Sequence, residues 1–133
     1  MLSRRAMREQ AFMLMFEQSF SNYELDQVIK LATEARDIPE DASARELAAG
    51  AIAHTPDIDP IIEKHSVDRK FSRLSRVVVT VLRLALYEII YVDSMGTAIS
   101  INEAVEITKR FATDEEAGFV NGVLGAYVRS QEQ

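Results

Sequence analysis

Histidines and clustered carboxylates are the side chains of this sequence whose types and spacing could support catalysis or metal binding. His54 and His65 are its only histidines and lie eleven positions apart, whereas metal-binding histidines usually lie at i and i+4 or within a cysteine–histidine cluster. Cysteine is absent, which excludes a thiolate metal site, a cysteine nucleophile and a disulfide framework. We expect both histidines to be ordinary surface or helix-end residues, with no metal or other cofactor bound.

Two glutamates, Glu103 and Glu106, lie three positions apart and would share one face of a helix, as a general acid and base could. Both have a simpler explanation. We expect Ser100 and Glu103 to form a capping box at the start of a helix, and Glu106 to pair with Lys109 or Arg110. The sequence also lacks the glycine-rich phosphate-binding loops and the nucleophile elbow of common enzyme classes. We therefore predict a protein that is not an enzyme.

Positive charge is concentrated in two short stretches of an otherwise acidic chain, whose net charge is −6. Residues 1–16 contain Arg4, Arg5 and Arg8 against one acidic residue, and residues 69–83 contain five basic residues and no acidic one. Guanidinium groups match the geometry of phosphates and stack on bases. If the two stretches converge in space, they form one positive patch that suits a nucleic acid. If they do not, each is only a solvated helix face.

Apolar residues follow helical spacing through the first half of the chain. Phe12, Phe16 and Phe20 lie four positions apart, which predicts an amphipathic helix at the amino terminus. Similar patterns predict three further helices, with Pro39 and Pro56 at their boundaries. The expected helices are residues 3–20, 21 or 22 to 37, 41 or 43 to 55, and 57–65.

A long apolar run over residues 74–92 occupies the middle of the chain. Its valines favour a strand locally, but about nineteen residues without glycine or proline exceed an ordinary strand, so we expect a central buried helix. A break at Met95-Gly96 follows, and further helices are predicted to begin at Ser100 and Thr113. The last helix contains three glycines, Gly118, Gly122 and Gly125. We expect them to allow the close approach of another backbone.

These elements add up to an all-α protein of about seven helices, which we expect to form one domain over residues 1–133. No stretch of about 18 consecutive apolar residues and no secretory signal is recognisable, so no membrane association is expected. The absence of cysteine fits a reducing compartment. We therefore expect a cytoplasmic protein.

Three motifs occur in order across nearly the whole chain. They are RRAMREQA from Arg4, LRLALYEI from Leu82, and INEAVEI from Ile101 with FVNGVL from Phe119. Taken together, at this spacing and chain length, they resemble the NusB family of transcription antitermination factors. The resemblance implies an all-helical fold of two subdomains and a non-catalytic adaptor.

Members of that family bind the boxA element of nascent ribosomal RNA leaders together with the ribosomal protein NusE, and they join the elongating RNA polymerase. The resemblance implies the same partners here and assigns RNA binding first to Arg4, Arg5 and Arg8. The secondary candidates are Arg76, Arg83, Lys109, Arg110, Phe119 and Asn121. Arg8 could instead form an ion pair within its own helix or with Glu88, and Arg83, Phe119 and Asn121 could be structural.

The sequence departs from the family pattern at positions that concern the protein partner. Phe16 stands where many relatives have a tyrosine, and Val78 where they have an acidic residue; both positions are associated with NusE binding. Arg69 replaces a frequent tryptophan, and Ala112 replaces a glycine. We expect that the surface for NusE is more apolar here, that NusE binds more weakly, or that the contact lies elsewhere on the protein.

Two alternative functions remain open at this stage. A NusB-like module also precedes the catalytic domain of a class of ribosomal RNA cytosine methyltransferases, but such enzymes need a separate cofactor-binding domain, which we do not expect in this chain. A helical scaffold that binds proteins or forms a homodimer is the other alternative. Its arginines would only aid solubility, and an apolar dimer would hardly respond to salt, whereas RNA binding through phosphates would weaken steeply as salt rises.

Overall fold

The computed structural model describes residues 2–36, 41–92 and 96–132. A 3₁₀ turn, Phe71–Arg73, precedes the fifth helix, and a π-helical turn, Glu88–Val92, follows it. These three ranges contain no β-strand, so the predicted all-α fold class is confirmed. The helices are α1 (Arg4–Phe20), α2 (Leu25–Arg36), α3 (Ala42–Ala53), α4 (Thr55–His65), α5 (Arg76–Tyr87), α6 (Thr97–Phe111) and α7 (Asp114–Gln131).

The helices form two groups that share α5. Helix α1 packs against α2, α3 and α5, whereas α5 also packs against α3, α4, α6 and α7. Helices α6 and α7 form an extensive pair that packs against α5, and side chains of α6 also contact α1. The arrangement agrees with the two subdomains that the resemblance implies. None of the helices within the described ranges is long and apolar enough to cross a membrane.

Helix α1 begins and ends where its sequence predicts. The Ser3 hydroxyl accepts a hydrogen bond from the backbone N–H of Ala6 at 3.1 Å, which satisfies one of the free donors of the first turn. Phe12 lies in the core, Phe16 is half-buried and Phe20 is 61% exposed. The apolar stripe of α1 therefore runs off the core and reaches the surface at its carboxyl-terminal end.

The next three helices match the prediction except at the start of α2, which begins at Leu25, later than the predicted caps at Ser21 and Asn22, because Ser21 ends α1. Asp41 caps α3, since its carboxylate accepts a hydrogen bond from the N–H of Ala44 at 2.9 Å. Helix α4 begins at Thr55, two residues earlier than expected, and Pro56 occupies its first turn, where a missing N–H costs nothing. The expected end of α2 at Asp37 and the break at Pro39 lie outside the described residues.

Helix α5 is the central buried helix that the apolar run predicts. Val78, Val81, Leu82 and Leu86 are each at most 1% exposed. The run ends in a π-helical turn, which periodicity gave no reason to expect. Of the predicted break at Met95-Gly96, Met95 lies outside the described residues, and Gly96 has φ +86°, a backbone conformation that favours glycine.

The capping box predicted at Ser100 and Glu103 is wrong. Helix α6 begins at Thr97, directly after Gly96, so Ser100 lies within the helix and is buried. Glu103 binds Arg5 on α1 instead of capping its own helix. Positive φ at Gly96 turns the chain into the helix earlier than the capping pattern indicates. In contrast, Thr113 does cap α7, since its hydroxyl accepts a hydrogen bond from the N–H of Glu116.

The prediction that the glycines of α7 allow close backbone approach is also wrong. A Cβ added at Gly118 or Gly122 would meet nothing within 4 Å, and one at Gly125 would meet only the Arg129 side chain. The close approach occurs at Gly50 on α3, where an added Cβ would lie 2.1 Å from the hydroxyl oxygen of Tyr87. Gly50 therefore makes room for a tyrosine of the central helix.

Replacing Gly50 by alanine should destabilise the protein. The methyl group would displace Tyr87, whose ring also packs against His54 and Tyr91, at a cost of about 1–3 kcal/mol in the free energy of unfolding. Urea denaturation followed by circular dichroism measures this cost. Gly118→Ala is the matched control, expected to be neutral or slightly stabilising because alanine favours an open helical position. Equal stabilities of the two variants would contradict the close approach.

Candidate nucleic-acid interface

Arg5 lies at the seam between α1 and α6, where it forms a two-pronged ion pair with Glu103. Its Nε and Nη2 atoms each donate to one carboxylate oxygen at 3.0 Å. The Arg5 side chain is 59% exposed, whereas that of Glu103 is 12% exposed. The hydrogen bond from Arg5 lowers the pKa of Glu103, which keeps this carboxylate charged. Arg4, the first residue of α1, is also exposed.

A second ion pair of the same kind lies further along the seam. The Nη1 atom of Arg110 donates to both carboxylate oxygens of Glu9, at 2.9 and 3.0 Å. Glu9 is four positions after Arg5, so both face α6, and Arg110 is seven positions after Glu103 on the facing helix. Arg110 is 64% exposed and Glu9 22% exposed. The two pairs therefore form a row in which arginines cover carboxylates.

Lys109 adds a further cation beside Arg110, with its side chain 49% exposed and 3.9 Å from Glu106. The predicted pairing of Glu106 is thus confirmed for Lys109, whereas Arg110 pairs with Glu9. We call Arg4, Arg5, Lys109 and Arg110 the amino-terminal cluster. It joins the first basic stretch of the sequence to the carboxyl-terminal end of α6.

Arg8 does not belong to this cluster, because it points into the protein. Its Nε donates to both carboxylate oxygens of Glu88 at 2.8 Å, and the two side chains are only 6% and 8% exposed. Burial raises the pKa of Glu88, and the hydrogen bond from Arg8 opposes that rise. The alternative of an ion pair with Glu88 is therefore confirmed, and a guanidinium this deeply buried is not available to RNA.

The second basic stretch lies at the opposite end of α1. Arg76 donates to the backbone carbonyl of Ser19 at 2.8 Å and lies over the ring of Phe20, 4.4 Å from its centroid. Arg5 and Ser19 are fourteen residues apart on one helix, which corresponds to roughly 21 Å at 1.5 Å per residue. Of the two alternatives left open for the basic stretches, convergence into one patch is therefore wrong, because α5 runs antiparallel to α1.

Arg83 shares a groove with Arg76 but is held by a carboxylate. Its Nε and Nη2 atoms donate to the two oxygens of Asp59 on α4 at 2.8 Å, and both side chains are about a quarter exposed. The groove has a volume of about 450 Å³ and is also lined by Ser19 and Thr80. Arg83 thus ties α5 to α4, which fits the structural role left open for it.

The two positions associated with NusE differ in accessibility. Phe16 is half-buried, stacks on Phe12 with ring centroids 5.7 Å apart, and meets the exposed Phe20 edge-on at 4.9 Å. Val78 is 1% exposed and belongs to the core, so the expectation that it lies on a partner surface is wrong. The apolar side chain is buried in α5, where a carboxylate would be costly.

Phe119 and Asn121 on α7 also differ in exposure. Phe119 packs partly against the core and is covered by Arg69, whose guanidinium carbon lies 4.5 Å from the ring centroid. Asn121 is exposed. Arg69, the residue that replaces a frequent tryptophan, therefore stacks on an aromatic ring of the last helix. Ala112 has φ −141°, a conformation that does not require the glycine usual at this position.

Sequence reasoning missed Glu9 and Phe20 as residues of these surfaces. The spacing of Arg5 and Glu9 at i and i+4 indicates that they share a face, but only the packing of α1 on α6 shows which residues face them. Both histidines contact tyrosines: the ring of His54 is tilted against that of Tyr91, with centroids 4.1 Å apart, and the ring of His65 meets that of Tyr127 edge-on. No group of three or more histidine or acidic residues suited to a metal occurs among the residues that the structure describes.

Comparisons with known proteins converge on one family. The model of the NusB family matches residues 1–129. The chain is 37% identical to the transcription antitermination protein NusB of Bacillus velezensis, over 92% of this chain and 93% of that protein. It is 34% identical to that of Ruminiclostridium cellulolyticum, over 92% and 86%.

Solved structures resemble the whole fold. A crystal structure of the antitermination factors NusB and NusE in complex with dsRNA matches with a TM-score of 0.83 and 28% identity, over 96% of both chains. A structure of T. maritima NusB matches with a TM-score of 0.82 and 30% identity, over 96% of this chain and 92% of that one.

Arg8→Ala should destabilise the protein strongly and in a pH-dependent way. The substitution leaves the buried Glu88 carboxylate without its cation, at a cost of about 3–5 kcal/mol near neutral pH. Because burial raises the pKa of Glu88 and Arg8 opposes that rise, loss of Arg8 raises this pKa further. The protonated, uncharged carboxyl is then favoured in the folded state. The stability deficit relative to wild type should therefore shrink as the pH falls towards the raised pKa.

Urea denaturation at pH 7 and pH 5 measures this deficit. The double variant Arg8→Met/Glu88→Leu removes both charges while keeping the apolar volume, and should be more stable at pH 7 than Arg8→Ala. A deficit that is small, or that stays constant with pH, would contradict the buried ion pair.

Proposed function

The chain belongs to the NusB family, and from that premise we propose that it is a transcription antitermination factor. In this proposal the protein is a non-catalytic adaptor of the cytoplasm. It binds boxA-type single-stranded RNA of nascent ribosomal RNA together with the ribosomal protein NusE, within the RNA polymerase elongation complex. The observation that supports RNA binding is the amino-terminal cluster, in which four exposed cations occur along the seam between α1 and α6.

The cluster suits a phosphate backbone although the protein as a whole is acidic. Exposed charges separated by more than about 10 Å are largely screened at 0.1 M salt, so the local charge matters more than the net charge of −6. Arg5 and Arg110 keep more than half of their side-chain surface exposed while their carboxylates hold them in place. Guanidinium groups exposed to this extent can reach a phosphate, whose geometry they match.

The roles of the remaining RNA candidates follow from their surroundings. We assign the primary role to Arg4 and Arg5, with Lys109 and Arg110 beside them, and Asn121 stays a candidate because it is exposed. Arg8 is left out because it is buried against Glu88. Phe119 under Arg69 and Arg83 on Asp59 are assigned structural roles.

The solved relative supports both partners in a general way. Its structure contains NusB, NusE and dsRNA, which fits an adaptor that contacts RNA and a protein at once. For this chain we commit to a single strand, because flexible strands let phosphates and bases adapt to a short basic row. Preferential binding of a duplex of the same sequence would contradict that choice.

We propose that NusE binds the other end of α1. Phe20 is 61% exposed and Arg76 covers one side of its ring, so an apolar surface with a cationic edge lies next to the groove lined by Met15 and Ser19. Phe16 forms the inner part of this surface. Aromatic and arginine side chains contribute most to protein interfaces, so this surface can replace the polar contacts that Phe16 and Val78 lack.

The double substitution Arg4→Ala/Arg5→Ala should weaken RNA binding and its salt dependence. Each lost phosphate contact lowers the slope of log affinity against log salt by about 0.7 for single strands, and two lost contacts by about 1.4. Fluorescence anisotropy with a labelled boxA-type strand measures both quantities. Lys30→Ala/Lys64→Ala is the matched control, since it removes two exposed cations from α2 and α4. Equal slopes for the two double variants would contradict RNA binding by the cluster.

Phe20→Ala and Arg76→Ala should each weaken NusE binding roughly ten-fold or more, as interface residues of these types commonly do on truncation. Isothermal titration calorimetry with purified NusE gives the affinity. Val67→Ala is the control, because Val67 is 86% exposed on the loop after α4 and lies outside this surface. Wild-type affinity in both Phe20→Ala and Arg76→Ala would show that NusE binds elsewhere on the protein. If neither the wild type nor any variant binds NusE, the chain is an RNA adaptor that lacks this partner.

A further inference from the structure

The two ion pairs along the α1–α6 seam share an asymmetry. In each of them the arginine is largely exposed and the glutamate largely covered: Arg5 and Arg110 are 59% and 64% exposed, and Glu103 and Glu9 are 12% and 22% exposed. The exposed half of each pair is a residue of the proposed RNA site. The covered half is an anion that already occupies the donors of that residue.

Glu103 occupies the donors that a phosphate would use. It accepts from Nε and Nη2 of Arg5, which together form one of the two edges of a guanidinium that bind an oxyanion in a two-pronged way. Glu9 likewise takes Nη1 of Arg110 with both of its oxygens. An RNA phosphate can bind these N–H groups only if it displaces the carboxylate. Otherwise it must bind the remaining N–H donors of the guanidinium.

The carboxylates also cancel most of the local charge. The four cations of the amino-terminal cluster contribute +4, and Glu9, Glu103 and Glu106 contribute −3, which leaves +1 along the seam. Non-specific RNA binding rests almost wholly on such charge. Four uncompensated cations would bind any single strand more tightly than cations that are paired with carboxylates.

Building on the proposed function, we propose that Glu9 and Glu103 are affinity-limiting residues of the RNA site, which compete with RNA phosphates for Arg110 and Arg5. They keep the affinity for any single strand low, so that stable binding needs additional contacts from bases or from a second protein. Their effect acts on the phosphate contacts and is therefore the same for every RNA sequence. The two carboxylates thus act as negative determinants that weaken the binding of RNA held by phosphate contacts alone.

Glutamine substitutions test this inference with little risk to the fold. Glutamine keeps the length of the side chain and one oxygen acceptor, but it does not hold a guanidinium as a charged carboxylate does. Glu9→Gln/Glu103→Gln should bind a boxA-type strand and a scrambled strand of the same length about ten-fold more tightly than the wild type at 0.1 M salt, by fluorescence anisotropy. The gain should be similar for the two strands.

Glu106→Gln is the matched control. Like Glu103, Glu106 lies on α6, and its substitution by glutamine removes one negative charge. Its ion pair is with Lys109, at 3.9 Å, and not with an arginine. Its side chain is 45% exposed, so simple repulsion of RNA predicts a gain at least as large as that of the covered Glu103. Competition for guanidinium donors predicts a gain of less than about two-fold.

Several outcomes overturn the inference. Unchanged or weaker RNA binding by Glu9→Gln/Glu103→Gln would show that the carboxylates position the arginines for RNA or serve only to tie α1 to α6. If Glu106→Gln increases RNA affinity as much per removed charge as the double variant does, the effect is general electrostatic repulsion and not competition for arginine donors. If the double variant does not fold, Glu9→Gln alone leaves Arg5 on Glu103, and it should still bind both strands about three-fold more tightly.

Failure of the proposed function gives a different result. In that case the wild type itself binds neither strand with a steep salt dependence, whatever the glutamine variants do. If the wild type binds and the variants bind no more tightly, RNA binding stands and only the competition is refuted.

Discussion

The buried ion pair between Arg8 and Glu88 fixes how the amino-terminal helix lies on the rest of the molecule. Both side chains are almost completely removed from solvent, and Arg8 Nε contacts both oxygens of Glu88 at 2.8 Å. A buried charge without its partner is costly, so α1 cannot slide or rotate along α5 without a large loss of stability. This constraint places Arg5 and Glu9 opposite α6. The surface cluster therefore depends on an interaction that is itself hidden from solvent.

The same constraint separates the two ends of α1. Because α5 runs antiparallel to α1, the carboxyl-terminal end of α5 meets the start of α1, and Arg76 at the start of α5 meets Ser19 and Phe20. One end offers exposed guanidinium groups that lie over carboxylates, and the other offers an aromatic ring with a cationic edge. A helix with two chemically different ends suits an adaptor that holds a nucleic acid and a protein at the same time.

Local sequence patterns predicted most of the fold. Apolar spacing located the helices, and Ser3, Asp41 and Thr113 marked three helix starts, because capping is decided by neighbours in the sequence. The capping box at Ser100 was wrong for two reasons: the nearby Gly96 starts the helix earlier, and Arg5, 98 residues away from Glu103 in the sequence, binds that glutamate. The site was only partly predictable for the same reason. The motif singles out Arg4 and Arg5, which are exposed, but the burial of Arg8 and Val78 and the separation of the basic stretches follow from packing between helices.

The central claim is that RNA meets the amino-terminal cluster and not the second basic stretch. Two-dimensional NMR of the arginine Nε–H groups, recorded during titration with a boxA-type single strand, reports on each guanidinium separately. We predict that the signals of Arg4, Arg5 and Arg110 shift with RNA, whereas those of Arg8 and Arg83 stay in place on their carboxylates. Shifts confined to Arg76 and Arg83, with the signals of Arg4 and Arg5 unmoved, would contradict the account.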